Sequence, residues 1–361
     1  MGRNACRSVA LLVGVAALLP VAPVADAQWA VSTADGKSTL NIGFLSQLQF
    51  EELENADASY YQQNLYFRRL RLIAGGKIND RLSFFFETDS PNLGKGTTSG
   101  SKTASTLTVQ DFVLTYTFSS QLKLEGGMML LPVSHNGGQG ATSLLPVDYG
   151  PYTFLHSDPL NLYVGRDYGV QARGYLARNH FEYRVGLSQG NRGTDSRGAL
   201  CSYARGVWYP FEADTALFYT GTTLGKRKIL AVGGSFIQQQ DFSALSGDAF
   251  LDLPVGGDAL TLQFDYTRFD GGSAFGTLPR QDAYLVEGGY YFRAVRLGPF
   301  VQYARRDFEA AGSADENKLQ AGLAWWSNGH RFNLKLAGAR LEKEGAEDRN
   351  QLLLQWQVLM F

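Results

Sequence analysis

Eight basic residues fall where a two-residue period turns side chains toward water: Arg69, Arg71, Lys77, Lys123, Arg173, Arg184, Lys318 and Lys335. Cations gathered on such a face do electrostatic chemistry, attracting anions and ordering their path. Arginine adds a planar fork of donors that suits phosphate. Carboxylates share the same parity at Glu87, Asp89, Asp111, Glu125, Glu182, Asp265 and Glu287. Each cation therefore has a second reading, a paired or solvated charge. Hydrolytic chemistry finds less support. His135 and His156 fall in one long loop, and His180 and His330 at predicted turns. No GxSxG, HExxH or CxxC pattern brings a nucleophile to a base. Nothing in the sequence asks for a metal or cofactor.

The elements that must position these charges are strands. In YFRRLRLIAGGKINDRLSFFFETD (66–89), Leu70, Leu72, Ala74 and Ile78 alternate with Arg69, Arg71, Gly75 and Lys77. After a turn at Asn79-Asp80-Arg81 the alternation resumes with Leu82, Phe84 and Phe86. Side chains on a strand alternate faces, so this is a hairpin with one apolar and one wet side. Similar units recur to the last residue with no helical layer between them. Long and short connections alternate, as in outer-membrane barrels. The expected fold is an all-β, antiparallel transmembrane barrel whose outer face carries Leu70, Leu72, Phe84, Phe86, Leu262, Phe264, Leu334 and Leu336. Taking 211–227 as a connection gives 16 strands; taking it as a strand gives 17, and bacterial single-chain barrels favour an even number. Asn328-Gly329 reads as a two-residue hairpin turn.

Residues 1–27 read as a cleaved secretory signal, with Arg3 and Arg7 ahead of an apolar run and Ala25-Asp26-Ala27 at the cleavage site. Residues 28–361 are then the mature barrel, opened by a lead-in from Gln28 to Lys37. That lead-in is too short for the folded plug of an energy-coupled receptor. No later run of 18 apolar residues exists, which excludes membrane helices. Cleavage takes Arg3, Arg7 and Asp26 from 33 basic and 34 acidic residues, leaving a formal charge of −2. Nucleic acid is thus not the expected partner, and charge selectivity must come from placement. Only Cys201 remains, so no intrachain disulfide forms.

Residues 132–166, PVSHNGGQGATSLLPVDYGPYTFLHSDPLNLYVGR, break the rhythm. Connections this long are functional or disordered. This one is apolar enough to be expected as an ordered constriction loop folded into the pore, with an external flap as the alternative. The chain closes on QLLLQWQVLMF, a terminal aromatic strand of the kind that barrel assembly machinery recognises. Its parity places Leu352, Leu354, Trp356, Val358 and Met360 on one face and Phe361 on the other.

FRRLRLIAGGKINDRLSFFFETD (67–89), GRDYGVQARGYLARNHFEYRVGLSQG (165–190), YTGTTLGKRKILAVGGSF (219–236) and the closing strand resemble the phosphate-selective porin O and P family. The resemblance implies a 16-stranded, homotrimeric porin of the bacterial outer membrane with a basic pore. The expected function is passive diffusion of small hydrophilic solutes, anions such as phosphate among them. The alternatives are a general non-selective porin and an outer-membrane barrel hydrolase. The expected partners are small solutes and outer-membrane lipid.

A register argument sharpens the site. In the hairpin 167–190, Tyr168, Val170, Ala172 and Leu176 face outward before the turn; Phe181, Tyr183, Val185 and Leu187 do so after it. A turn at Arg178-Asn179 pairs Leu176 with Phe181 and sets Arg173 across from Arg184, both toward the lumen. Like charges directly opposite are unfavourable. Either Glu182, opposite Tyr175, neutralises them or they form an anion-coordinating step.

Overall fold

The two-residue period of the sequence survives as a ring of strands with a packed interior. The computed structural model describes residues 29–97, 99–155, 165–310 and 312–361. The predicted signal (1–27), Gln28 and His156 lie outside the described residues. The ring opens with β2 (Thr39–Glu54), β3 (Tyr61–Lys77), β4 (Leu82–Asp89), β5 (Thr108–Ser119) and β6 (Leu122–Leu130). After the long loop come β7 (Arg166–Leu176), β8 (Phe181–Ser188) and β9 (Cys201–Trp208). A second long connection leads to β10 (Ile229–Gln239), β11 (Phe242–Val255), β12 (Asp258–Asp270) and β13 (Gln281–Tyr291). The ring ends with β14 (Leu297–Phe308), β15 (Glu316–His330), β16 (Phe332–Lys343) and β17 (Arg349–Met360).

Each strand pairs antiparallel with the next, and β17 pairs with β2, so the barrel closes with 16 strands. Closure leaves the wall no long unpaired edge. One extra strand, β1 (Trp29–Ser32), falls in the predicted lead-in and pairs with β2 from Trp29↔Ile42 to Ser32↔Thr39. That stretch of β2 extends beyond the last β17 pair, Met360↔Phe44, and β1 covers it.

The outward face carries apolar side chains, among them Leu72, Leu262 and Phe264, all exposed. Short turns gather at one rim. Leu176 pairs with Phe181 as the register argument requires, but the turn between them spans four residues, 177–180, with Ala177, Arg178 and Asn179 all at positive φ (49°, 57° and 71°) rather than only the expected Arg178-Asn179. The turn near Asn328 differs from expectation. Pairing shifts after Trp325 and resumes at Asn328↔Phe332, so Gly329 (φ 54°) opens a three-residue turn.

The core of this molecule is its lumen. Leu45, Ile73 and Leu130 of the wall pack with Ala141, Leu144 and Tyr149 of the long loop. Phe361 joins the same cluster, edge-on to Phe85, which itself meets Phe218. The opposite parity of the last residue therefore holds without a bulge: Phe361 points inward.

Candidate channel constriction

Side chains that alternate into the barrel meet a loop that crosses it. Of the predicted constriction loop 132–166, residues 156–164 lie outside the described residues. Residues 132–153 are largely buried inside the ring. The wall holds this segment by its carbonyls, which receive hydrogen bonds from several strands. Gln47 donates to Ala141 O (3.1 Å), Gln357 to Thr142 O (2.8 Å), Gln355 to Val147 O (3.2 Å) and Gln302 to Asp148 O (3.1 Å). Lys335 Nζ donates to both Leu144 O (2.6 Å) and Pro146 O (2.7 Å). A buried ammonium needs such acceptors to be tolerated, so Lys335 reads as a tether for the loop.

Arg69 departs from the sequence expectation. The wet-face carboxylates Glu87 and Asp89 lie on the next strand, but Arg69 Nη2 meets Asp148 Oδ1 of the long loop at 2.6 Å, while Nη1 donates to Gln47. Arg68, which parity assigns to the outside, joins it: its Nε sits 2.6 Å from Asp148 Oδ2. The cause is a bulge in β3. Gln47 pairs with Arg69 and Leu48 with Phe67, so Arg68 is an extra residue that turns inward. Burial raises the Asp148 pKa, but the two guanidiniums more than offset it and hold the carboxyl well below the usual carboxylate range. Arg71 meets two carboxylates of β4, Glu87 at 2.7 Å and Asp89 at 3.1 Å.

A second segment enters the lumen from the short-turn rim. The connection 209–228 contains the stretch 211–227 whose status the sequence left open; it forms no strand of the ring. It climbs to meet the loop: Gly140 N donates to Tyr219 O (2.9 Å) and Tyr219 N to Gly138 O (2.8 Å), with a parallel bridge Gln139↔Tyr219. Asp252 of β11 anchors it, accepting hydrogen bonds from Thr222, Thr223 and Thr261. The sequence signal was the apolar Leu217-Phe218-Tyr219 between polar flanks, a composition unsuited to an exposed turn.

Four cations line up across the wall that faces this junction. Lys123 pairs with Arg173, Arg173 with Arg184, and Arg184 with Arg205. The sequence reading found the middle pair and missed Arg205. Glu125 lies 3.0 Å from Arg173 Nη2, Glu182 lies 2.7 Å from Arg184 Nε, and Asp248 grips Arg205 through two contacts of 2.6 and 2.8 Å. Four positive groups thus meet three carboxylates. Lys123 has no ion pair among the described residues; its Nζ lies 5.9 Å from the Tyr175 ring centroid. The Tyr219 ring lies against Arg184 (4.6 Å) and Arg205 (5.2 Å). Arg173 Nε and Arg184 Nη2 are buried with no hydrogen-bond partner among the described residues.

The remaining candidates scatter. Lys318 is half-buried and Lys77 is exposed at the short-turn rim. Neither makes an ion pair among the described residues. Of the carboxylates, Asp265 accepts from Gln263 (2.5 Å) and Asn136 N (3.3 Å), Glu287 accepts from Gln302 (3.0 Å), and Asp111 faces Arg166. No cluster among the described residues has the composition of a metal site.

The model of one protein family, phosphate-selective porin O and P, matches residues 40–238. No curated protein matches the chain by sequence. Solved structures match in fold. OmpF of Salmonella typhi, in complex with daunomycin, superposes with a TM-score of 0.61 at 14% identity, covering 91% of this chain and 100% of that one. The outer membrane channel DcaP of Acinetobacter baumannii gives 0.59 at 10%, covering 91% and 99%. An anion-selective porin from Comamonas acidovorans gives 0.56 at 13%, covering 90% and 100%. The family match spans more than half of the chain, from the first strand of the ring to the inward connection and β10. On that ground the chain belongs to the phosphate-selective porin O and P family and is a passive channel of the bacterial outer membrane.

Proposed function

We propose that this porin favours small anions, phosphate among them, and that they pass along the row Lys123, Arg173, Arg184 and Arg205. The observation that carries the reading is the row itself. Four cations directly opposite one another across neighbouring strands are unfavourable unless something negative lies between them. Three carboxylates offset most of this repulsion, and an anion would offset the rest. The two guanidinium N–H groups without a protein partner are the donors a phosphate oxygen would take, in the planar geometry arginine presents. Ring-lined and loop-narrowed channels select by such local charge. Arg69, Arg71 and Lys335 then serve to position the loop and the wall. Lys77 and Lys318 add positive potential along the approach.

Within this reading the protein is a channel rather than a hydrolase, assembled as a homotrimer in outer-membrane lipid and inserted by machinery that reads its terminal strand. OmpT of Vibrio cholerae, folded in vitro, has been solved in a trimer form. Here the outer wall of β5–β9 bears a groove lined by Leu114, Leu124, Val170 and Leu187, with no charge on its outward positions. The test is chloride current through the purified channel as inorganic phosphate is added. The current should fall as phosphate occupies the row. A chloride current indifferent to phosphate at every concentration would leave a general porin as the better account.

A further inference from the structure

Three of the four histidines bond to carbonyls of one segment, the inward connection 209–228. His180 Nδ1 lies 2.6 Å from Tyr209 O, His135 Nε2 lies 3.1 Å from Thr220 O, and His330 Nε2 lies 2.8 Å from Thr222 O. Carbonyls only accept, so each of these nitrogens carries its proton in the arrangement seen. His180 is exposed at a turn. His135 is different. It is fully buried and belongs to the constriction loop, so its bond joins the loop to the connection.

The His135 ring is stacked between Tyr219 of the connection (5.0 Å, 7° between planes) and Phe250 of β11 (4.1 Å, 13°). Its Nδ1 is buried with no partner among the described residues. A proton added there would have no acceptor, and the new charge would sit between two rings. The charged groups that face the imidazole are Asp248 of β11, Arg205 of β9 and Asp214 of the connection. Asp248 is already gripped by Arg205, and Asp214 Oδ2 already accepts from Thr220 N (2.6 Å). Asp265 of β12 bonds the neighbouring Asn136 N.

We propose that His135 is an acid-sensitive pin between the constriction loop and the inward connection, holding the lumen narrow at neutral pH and letting the two segments part as the pH falls. Burial depresses its pKa to about 4, from the ordinary value of about 6.5. A base whose folded pKa is depressed holds the folded arrangement at full strength above the ordinary value. It loses that contribution as the pH falls from about 6.5 toward about 4. The proposal rests on the channel reading but not on its ion preference, so a conductance measurement tests it separately from phosphate block.

The experiment compares single-channel conductance at pH 7 and at about pH 4.5, inside that window, for the wild type and His135→Phe. Phenylalanine keeps both ring contacts and cannot titrate. The wild type should widen in acid and His135→Phe should lose that response. An equal acid response in both would overturn the proposal, assigning it to another titrating group such as His330 or a lumen carboxylate. A second arm does not depend on that variant folding. A Cβ placed at Gly140 would sit 3.5 Å from Phe218 Cβ, within disulfide range. The pair Gly140→Cys with Phe218→Cys, oxidised, should abolish the acid response while His135 is intact, and reductant should restore it. A tethered channel that still widens in acid would also overturn the proposal.

Discussion

Deleting residues 136–150 should raise single-channel conductance several-fold while the barrel still assembles. The segment crosses the lumen and is held there by donors from β2, β14, β16 and β17, but it supplies no rung of the wall ladder. All 16 strands keep their partners without it. The two ends of the deleted segment are close: Gly150 N lies 3.0 Å from Asn136 Oδ1. The side chains left behind, Lys335, Arg68, Arg69 and the glutamines, would face a wider water-filled lumen where water satisfies them. Loss of Asp148 also frees two guanidiniums, so the wider channel should lean further toward anions. Heat-modifiable gel mobility checks assembly, and planar-bilayer recording checks conductance. A well-folded deletion variant with unchanged conductance would mean that the narrowest point lies elsewhere.

The second large effect is expected from Arg173→Gln combined with Arg184→Gln. The row now sets four cations against Glu125, Glu182 and Asp248; the double variant sets two against the same three. The local balance changes sign, so selectivity should move toward cations and phosphate block should weaken. Removing one partner of a buried ion pair costs about 3–5 kcal/mol, so folding is checked before current is read. Arg173→Lys with Arg184→Lys separates charge from geometry. It should keep anion preference yet lose much of the phosphate block, because an ammonium lacks the planar fork. Wild-type selectivity and block in the glutamine pair would remove these two arginines from the anion path.

What the sequence conveyed was whatever depends on strand parity alone. The outward Leu72, Leu262 and Phe264 follow from it, as do the pairing of Leu176 with Phe181 and the facing of Arg173 and Arg184. Parity failed where one extra residue interrupts it. Arg68 reads as outward until the β3 bulge turns it to Asp148, and no local pattern marks that bulge. It was also silent on partners distant in the chain. Arg69 meets a carboxylate 79 positions away, in a loop whose path no period describes. Arg205 lay within reach of the same reasoning, since β9 alternates clearly, but the register was carried only across one hairpin. The inward turn of 209–228 was beyond it. A connection that packs against a loop, rather than against its own neighbours, leaves only apolar residues without a rhythm.

The central claim, that local charge placement makes a nearly neutral chain anion-selective, is tested most directly by one measurement. The wild-type channel is reconstituted in a planar bilayer with potassium chloride concentrated on one side, and the zero-current potential is read. Chloride passing more readily than potassium makes the dilute side negative, and inorganic phosphate should then reduce the current without reversing that sign. A potential near zero, or a positive dilute side, would contradict the account.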